Sequence, residues 1–416
     1  MSYQRQCAAA NCNTSLRTMI RLFCAAMLAT TIMAQAQTFT VLHTFRGGTR
    51  PYAGVTMDAA GNLDGTTYYG GANGTGLVYK LAHKGSGWVL SPLYSFQRGL
   101  DGQLPVGGVT IGSDGDLYGT TSSGGRHGGG TVYKLSPPAT FCGSILCPWT
   151  ETLLYQFTNG ADGGQPDAAV IFDRAGNLYG TTYYGGIGRN GVVFKLTPSA
   201  SGWTESVLHS FNGSPDGAHP YSALTFDDNG NLYGTTEDGG TGFGTVYGLM
   251  PSGSNWTEQV IYVFQGSLDG AYPTAGVVLD PEGNVYGTTQ LKGVDDGGTV
   301  FELMPSNGNW SFSLLYSPVQ GGSDAVGTLA RSSSGTLYGT FFYGGLFQSC
   351  GGEGCGNVFQ LSPSNGGWVY TSLYEFTGGD DGGNPTGGLI LDSAGNLYGT
   401  TSGLQAGVGS AFELAP

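Results

Sequence analysis

Gly176-Asn-Leu-Tyr-Gly-Thr-Thr182 is the stretch on which the fold turns, because close relatives of it occur seven times in the chain. Its Gly-Thr dipeptide, Gly-Thr-Phe in one copy, begins at Gly65, Gly119, Gly180, Gly234, Gly287, Gly339 and Gly399. Successive separations are 54, 61, 54, 53, 52 and 60 residues, a period near 54 with two longer copies. A fixed period of this length marks solenoids and propellers. It also directs the search for function. A residue present in every copy serves the repeat, whereas one that departs from the pattern is free to serve something else.

Reading outward from that phrase gives one complete unit. Residues 168–173 read as a strand, and Asp173-Arg-Ala-Gly-Asn177 supplies turn chemistry. Residues 177–185 form a second strand, rich in Tyr and Thr; a glycine-rich loop leads to a third over 191–197. Residues 198–202 turn the chain into a fourth strand, 203–211, and a longer loop, 212–221, reaches the next copy. Four short strands with no helical period predict an antiparallel four-stranded sheet. Seven such sheets arranged radially make an all-β, seven-bladed β-propeller. Three short connections and one long one place the first strand at the axis and the Trp strand outermost.

The two ends complement each other. Thr38-Phe-Thr-Val-Leu-His-Thr-Phe45 aligns with Thr204-Glu-Ser-Val-Leu-His-Ser-Phe211, an outermost strand, while residues 409–415 read as a third strand. The N-terminal strand is therefore expected to complete the last blade, leaving no open edge. All six tryptophans, Trp88, Trp149, Trp203, Trp256, Trp310 and Trp368, occupy one repeat position. With the strand-two tyrosines Tyr118, Tyr179, Tyr233, Tyr286, Tyr338 and Tyr398, they read as blade-to-blade packing.

The chain has 416 residues, 77 of them glycine, with 11% charged, 12% aromatic and a net charge of −14. The 15 basic residues are scattered, so a phosphate-backbone footprint is absent and nucleic acid is excluded as a partner. Residues 1–36 differ in kind. Arg17 and Arg21 precede the apolar run 22–33, which ends in Ala34-Gln35-Ala36. These are the parts of a secretory signal, too short to span a bilayer. Met19 offers an alternative start. Cleavage near Ala36 would leave 37–416 as one propeller domain, secreted or periplasmic, with no transmembrane segment and expected to be monomeric.

Cysteine use agrees with export. Cys7, Cys12 and Cys24 lie in the leader, and the rest form two local pairs, one in each long copy: Cys142 with Cys147, and Cys350 with Cys355. Two disulfides are the expected outcome. The rival, a four-cysteine zinc site, is disfavoured because the propeller puts the pairs on opposite faces.

The units Asp-x-x-Gly-Asn-Leu-Tyr-Gly-Thr-Thr, Tyr-Gly-Gly, Gly-Thr-Val-Tyr/Phe-Lys-Leu, Trp-x-x-x-x-Leu-Tyr-x-Phe and Asp-Gly-x-x-Pro resemble the GloVer (Gloeobacter/Verrucomicrobia-type) choice-of-anchor tandem-repeat proteins over residues 38–416. The resemblance implies export and a repeat fold. It carries no established activity and no catalytic residues. Anchored members have a C-terminal tail; here Pro416 follows the last strand, which suggests release to the periplasm or medium.

Function is sought on the face shared by the inter-blade loops and the loops between second and third strands. Asp-Gly-x-x-Pro recurs there at Asp101, Asp162, Asp216, Asp269 and Asp381. These carboxylates could ring the channel mouth and hold a cation, but an Asp-capped turn ending in proline explains each piece locally. Departures from the pattern are better candidates. Strand two usually ends in hydroxyls or aromatics, such as Tyr68-Tyr69, Tyr183-Tyr184 and Phe342-Tyr343, but in the fourth copy it ends in Glu237-Asp238. Nearby loops add Arg126, His127, Arg189, His219, Asp295, Asp296 and Glu353. The expected ligand site draws on Tyr69, His127, Tyr184, His219, Glu237, Asp238 and Tyr343. Rings under apolar sugar faces and polar groups on hydroxyls suit a glycan. The first reading is thus a binding module for an extracellular glycan or envelope protein. A polysaccharide hydrolase or lyase using same-face carboxylates is the alternative, and a scaffold without small ligand a third. No cofactor motif, catalytic triad or metal-ligand signature is present.

Overall fold

The computed structural model describes residues 37–85, 87–138, 149–253, 255–318, 324–345 and 350–416. The proposed leader lies outside the described residues. Residues 39–415 form one compact unit. It holds seven four-stranded sheets arranged as a seven-bladed β-propeller, here numbered blades 1–7 in the order of the repeat glycines Gly65 to Gly399. Blade 3 is representative: Ile171–Phe172, Leu178–Thr182, Val192–Ser199 and Gly202–Ser210, in that order from the axis outward. Closure is as expected, with Thr38–Phe45 lying beside Gly409–Ala415 as the outermost strand of blade 7.

Element lengths depart from the sequence reading. The innermost strand is only two residues long, Ile171–Phe172 in blade 3, where the sequence predicts 168–173. Residues 168–170 instead serve inter-blade contacts: Ala168 and Val170 give their carbonyls to threonines of blade 2, Thr120 and Thr110. Strand two stops at Thr182, and strand three runs on to Ser199, with Pro198 opposite Trp203.

The repeated phrase is explained by two contacts. The first concerns its glycine. A Cβ on Gly180 would sit 2.6 Å from Cζ of Phe194, the strand-three aromatic that crosses it. Gly65, Gly119, Gly234, Gly287, Gly339 and Gly399 face Tyr79, Tyr133, Tyr247, Phe301, Phe359 and Phe412 in the same way, all below 3 Å. Close approach, not backbone conformation, demands glycine there. The second contact concerns the first threonine, whose hydroxyl in six of the seven copies donates to a carbonyl of the next blade. Thr66 reaches Gly107 at 2.9 Å, Thr181 reaches Ser222 at 3.0 Å, and Thr400 closes the ring on Ala53 at 2.7 Å.

The core is divided among the interfaces. Seven clusters of buried apolar side chains are found among the described residues, one between each pair of neighbouring blades. The tryptophans pack as expected: Trp256 of blade 4 meets Tyr179 of blade 3 edge-on at 6.0 Å, and Trp310 meets Tyr233.

Of the two expected disulfides, one is found among the described residues. Cys350 and Cys355 form a disulfide with a Cα–Cα distance of 5.3 Å. That loop of blade 6 packs against blade 7, where Cys355 is fully buried with Phe376 and Leu389. The other expected bond has no counterpart there, because Cys142 and Cys147 both lie outside the described residues.

Candidate functional site

Each inter-blade loop ends in a short segment that descends along the axis, and seven of these segments surround a cavity of about 510 Å³. In the six copies that carry proline, three residues follow it: Tyr52-Ala-Gly54 in blade 1, Asp167-Ala-Ala169 in blade 3 and Tyr221-Ser-Ala223 in blade 4, for example. The second and third positions are nearly all Gly or Ala, so the backbones approach closely and build a narrow floor. The first position varies, reading Tyr52, Val106, Asp167, Tyr221, Thr274, Val326 and Thr386. Above this floor, the ends of strand two add Glu237, Gln290, Phe342 and Tyr343.

The rim has its own construction. The residue before each proline, or before Ala325 in blade 6, is Arg50, Leu104, Gln165, His219, Tyr272, Asp324 or Asn384. Six of these seven hold φ between 39° and 60°, a region that neither an L side chain nor a following proline favours. The fold holds them there. His219 N–H donates to Asn190 O at 2.8 Å, its carbonyl accepts from Glu237 N–H at 3.1 Å, and Gln165 is tied in the same way. The same conformation in six blades makes it a property of the frame. The side chains it displays are seven different ones.

Electrostatically the cavity is acidic. Asp167 is 4% exposed, its Oδ2 accepts from Gln165 Nε2 at 2.9 Å, and its buried Oδ1 has no partner. Burial pushes this carboxyl up to about 7; the Gln165 hydrogen bond opposes that rise and the Glu237 carboxylate adds to it. Burial also raises Glu237, opposed by a hydrogen bond from the Tyr183 hydroxyl and reinforced by Asp238. Asp324 is raised by burial as well, with Gln290 Nε2 3.5 Å from its Oδ2. Arg50 sits just outside, its guanidinium 3.4 Å from the Tyr52 hydroxyl and over the Tyr69 ring at 5.7 Å.

The residues expected from sequence divide into three groups. Glu237 and Tyr343 line the cavity. Tyr69, His219 and Asp238 do not line it: Tyr69 packs on Tyr68 at 4.6 Å, and His219 stacks on Tyr183 at 4.7 Å while its Nδ1 pairs with Asp238 Oδ2 at 3.0 Å. Tyr184 meets the His219 ring edge-on at 5.5 Å but does not line the cavity, and His127 lies apart. Tyr184 borders a separate open hollow with Arg189 and residues 159–161, and His127 is exposed on its loop. That hollow is framed largely by glycine backbone and holds no buried charge, so the axial cavity is the better-built site. Tyr52, Asp167, Tyr221, Gln290 and Asp324 were not among the expected residues. Aligning the copies on their proline exposes three of them, Tyr52, Asp167 and Tyr221, since the variable position follows it.

The recurring Asp-Gly-x-x-Pro carboxylates do not ring the mouth. Asp101 Oδ2 accepts from the Tyr94 hydroxyl at 3.0 Å and from Gln97 N–H at 2.7 Å. Asp162, Asp269 and Asp381 repeat both bonds with Tyr155, Tyr262 and Tyr374, and Asp216 pairs with His209. Each caps the end of an outermost strand, away from the axial segments. The turn reading holds, and no cluster of three metal-ligating side chains is found among the described residues.

Solved structures of similar fold include an ulvan lyase, 10% identical, with a TM-score of 0.57 over 90% of this chain and 95% of that one. The same type of lyase bound to a GlcA–Rha3S saccharide gives 0.55 at 11% identity, over 88% and 95%. A fungal alcohol oxidase in complex with copper gives 0.53 at 13% identity, over 91% and 76%. At such identities the likeness is one of fold. Among curated proteins, none matches the sequence. The sequence profile of the Gloeobacter/Verrucomicrobia repeat matches residues 29–205, 145–242 and 200–412, and the chain belongs to that repeat family.

Proposed function

We propose that this is an exported glycan-binding protein whose ligand enters the axial cavity on the inter-blade-loop face. The observation that carries the reading is the composition of that one cavity. Tyr52, Tyr221, Phe342 and Tyr343 offer ring surfaces, while Asp167, Glu237, Gln290 and Asp324 offer hydrogen-bonding groups in the same concave space. Mixed apolar and convergent polar walls of this size suit a saccharide segment. Export follows from the leader-like residues 1–36 and is supported by the Cys350–Cys355 disulfide, which favours an oxidising compartment. The test is a glycan array probed with residues 37–416, repeated with Asp167→Asn. Binding that weakens in the variant supports the reading; no glycan bound by either protein refutes it.

A second reading, a polysaccharide hydrolase or lyase, draws on one further observation. Asp167 and Glu237 share the cavity, interact electrostatically, and are both raised by burial. Carboxyls tuned toward neutrality suit proton transfer. Release of shortened or unsaturated products from a bound glycan, seen by mass spectrometry and lost in Glu237→Gln, would favour this reading over simple binding.

A further inference from the structure

We propose that the axial cavity selects a glycan carrying free amino groups, with Asp167 and Glu237 holding an ammonium against the rings of Tyr52 and Tyr221. This rests on the glycan reading above and narrows it to a class of ligand. Three carboxyls, Asp167, Glu237 and Asp324, line the cavity, and among the described residues no Lys, Arg or His does. Arg50 turns to Tyr52 and Tyr69 and, among the described residues, forms no ion pair with any of the three, while the His219 ring acts electrostatically on Glu237 without lining the cavity.

Asp167 supplies a second, independent observation. It is almost wholly buried, lines the cavity, and leaves Oδ1 without a hydrogen-bond partner. An unpaired buried acceptor is costly, and more so when it carries charge. The fold retains it while satisfying Oδ2 through Gln165. A donor brought by the ligand removes that cost, and a positively charged donor removes most.

The surroundings decide between kinds of cation. The carboxyls come from different blades, and no group of three ligating side chains is gathered closely enough for a metal ion among the described residues. Tyr52, Tyr68 and Tyr221 lie within electrostatic range of Asp167 or of one another. Aromatic faces beside separated carboxylates suit an organic ammonium, which gains from ring quadrupoles as well as from charge. Uronic acid units would instead meet three like charges. Neutral N-acetylated units would leave Asp167 Oδ1 facing an amide, a weaker partner than an ammonium.

Isothermal titration at neutral pH distinguishes these cases. The probes are a glucosamine tetramer, an N-acetylglucosamine tetramer and a glucuronate-containing oligosaccharide. The glucosamine tetramer should bind at least about tenfold more tightly than the other two. Asp167→Asn and Glu237→Gln should each lower its affinity by about 10- to 100-fold, with cooperative melting at a temperature no lower than wild type showing that the variants fold. Glu282→Gln, on an exposed turn of the opposite face, should leave binding unaltered. Equal affinity for glucosamine and N-acetylglucosamine tetramers overturns the ammonium assignment and leaves glycan binding standing. No affinity for any of the three, with no glycan bound on an array, overturns both.

Discussion

Three glutamates should make this propeller less stable as pH rises from about 5 to about 8, and the reason lies in one position of the outermost strand. At that position blades 5, 6 and 7 carry Phe312, Tyr370 and Phe39, each stacked on a tyrosine of the preceding blade, with centroids 4.9, 4.2 and 3.6 Å apart. Blades 2, 3 and 4 carry Glu151, Glu205 and Glu258 instead. Each places Oε1 in the interface without a hydrogen-bond partner, facing the capping carboxylate Asp101, Asp162 or Asp216. Burial first, and that neighbouring carboxylate second, push each glutamate from 4.5 up to about 7.

A folded-state value above the unfolded one means that the folded protein binds the proton more tightly. Stability is then greatest below about pH 4.5 and falls as pH rises toward 7. The rise corresponds to at most about 3.4 kcal/mol per carboxyl; because each side chain is only half-buried, solvent screening reduces it to about 1 kcal/mol. The three lie in separate interfaces with separate partners, so about 3 kcal/mol in total is expected. For a unit of this size that lowers the melting temperature by about 4 °C. Asp64, Asp167, Glu237 and Asp324 are also raised and act in the same direction. The decisive comparison is therefore between wild type and the triple Glu→Gln variant, in which those groups cancel. Asp58, Asp114, Asp173 and Asp392 are lowered, and the stability they contribute is lost only in more acidic solution. Scanning calorimetry at the two pH values should show the triple variant losing about 4 °C less. An equal loss in both proteins refutes the reasoning.

Glu205→Phe should recreate the blade 5 stack, because Tyr155 and Tyr262 are held by the same Tyr–Asp hydrogen bond; a gain of about 1 kcal/mol near pH 8 is expected in denaturant unfolding. Gly180→Ala must displace the Phe194 ring that lies 2.6 Å from its added carbon, and a loss of about 2 kcal/mol should appear in the same assay. Lys80→Met should cost about 3 kcal/mol, since Lys80 Nζ lies 3.0 Å from Asp64, whose side chain is fully buried; restoration by the double variant Lys80→Met, Asp64→Tyr would confirm the cause. Cys355→Ser should lower stability by about 2 kcal/mol and leave Cys350 reactive to a thiol reagent after unfolding.

The frame was readable from sequence because its parts are forced to be identical. Glycine under a strand-three ring, threonine reaching the next blade, and tryptophan against the neighbouring tyrosine each solve one geometric problem seven times over, or nearly so. Asp-Gly-x-x-Pro was equally legible as a turn, since Asp, a tyrosine seven residues before it and a backbone N–H form a closed local motif. Asp167 was not legible from its own copy alone. It follows Pro166 in a segment where the repeat fixes only small size at the next two positions, so nothing in one copy marks it as axial. His127 and Tyr184 misled for the complementary reason. They vary between copies, but the loops between second and third strands reach outward as well as inward, and sequence does not say which side a glycine-rich loop presents. The glutamates were hidden because a carboxyl and a stacked ring fit one register position.

The departures cluster where the frame itself is irregular. In five inter-blade loops the residue before proline is clamped and the first Gly-Thr threonine of the preceding blade bonds the second residue after that proline. Blade 6 has Asp324-Ala325 instead, and Thr288 bonds the carbonyl of Ala325, two positions early. One blade on, Thr340 Oγ1 has no partner. The same blade contributes Asp324, Phe342 and Tyr343 to the cavity and carries the disulfide loop that braces it against blade 7. The ring tolerates one displaced and one missing link because the five equivalent hydrogen bonds and seven apolar interfaces hold the register. Redundancy thus frees one blade from the repeat's chemistry, and the freed side chains face the cavity. Blades 3 and 4 reach the same result differently, keeping the hydrogen-bond ring intact and varying only the residues it displays.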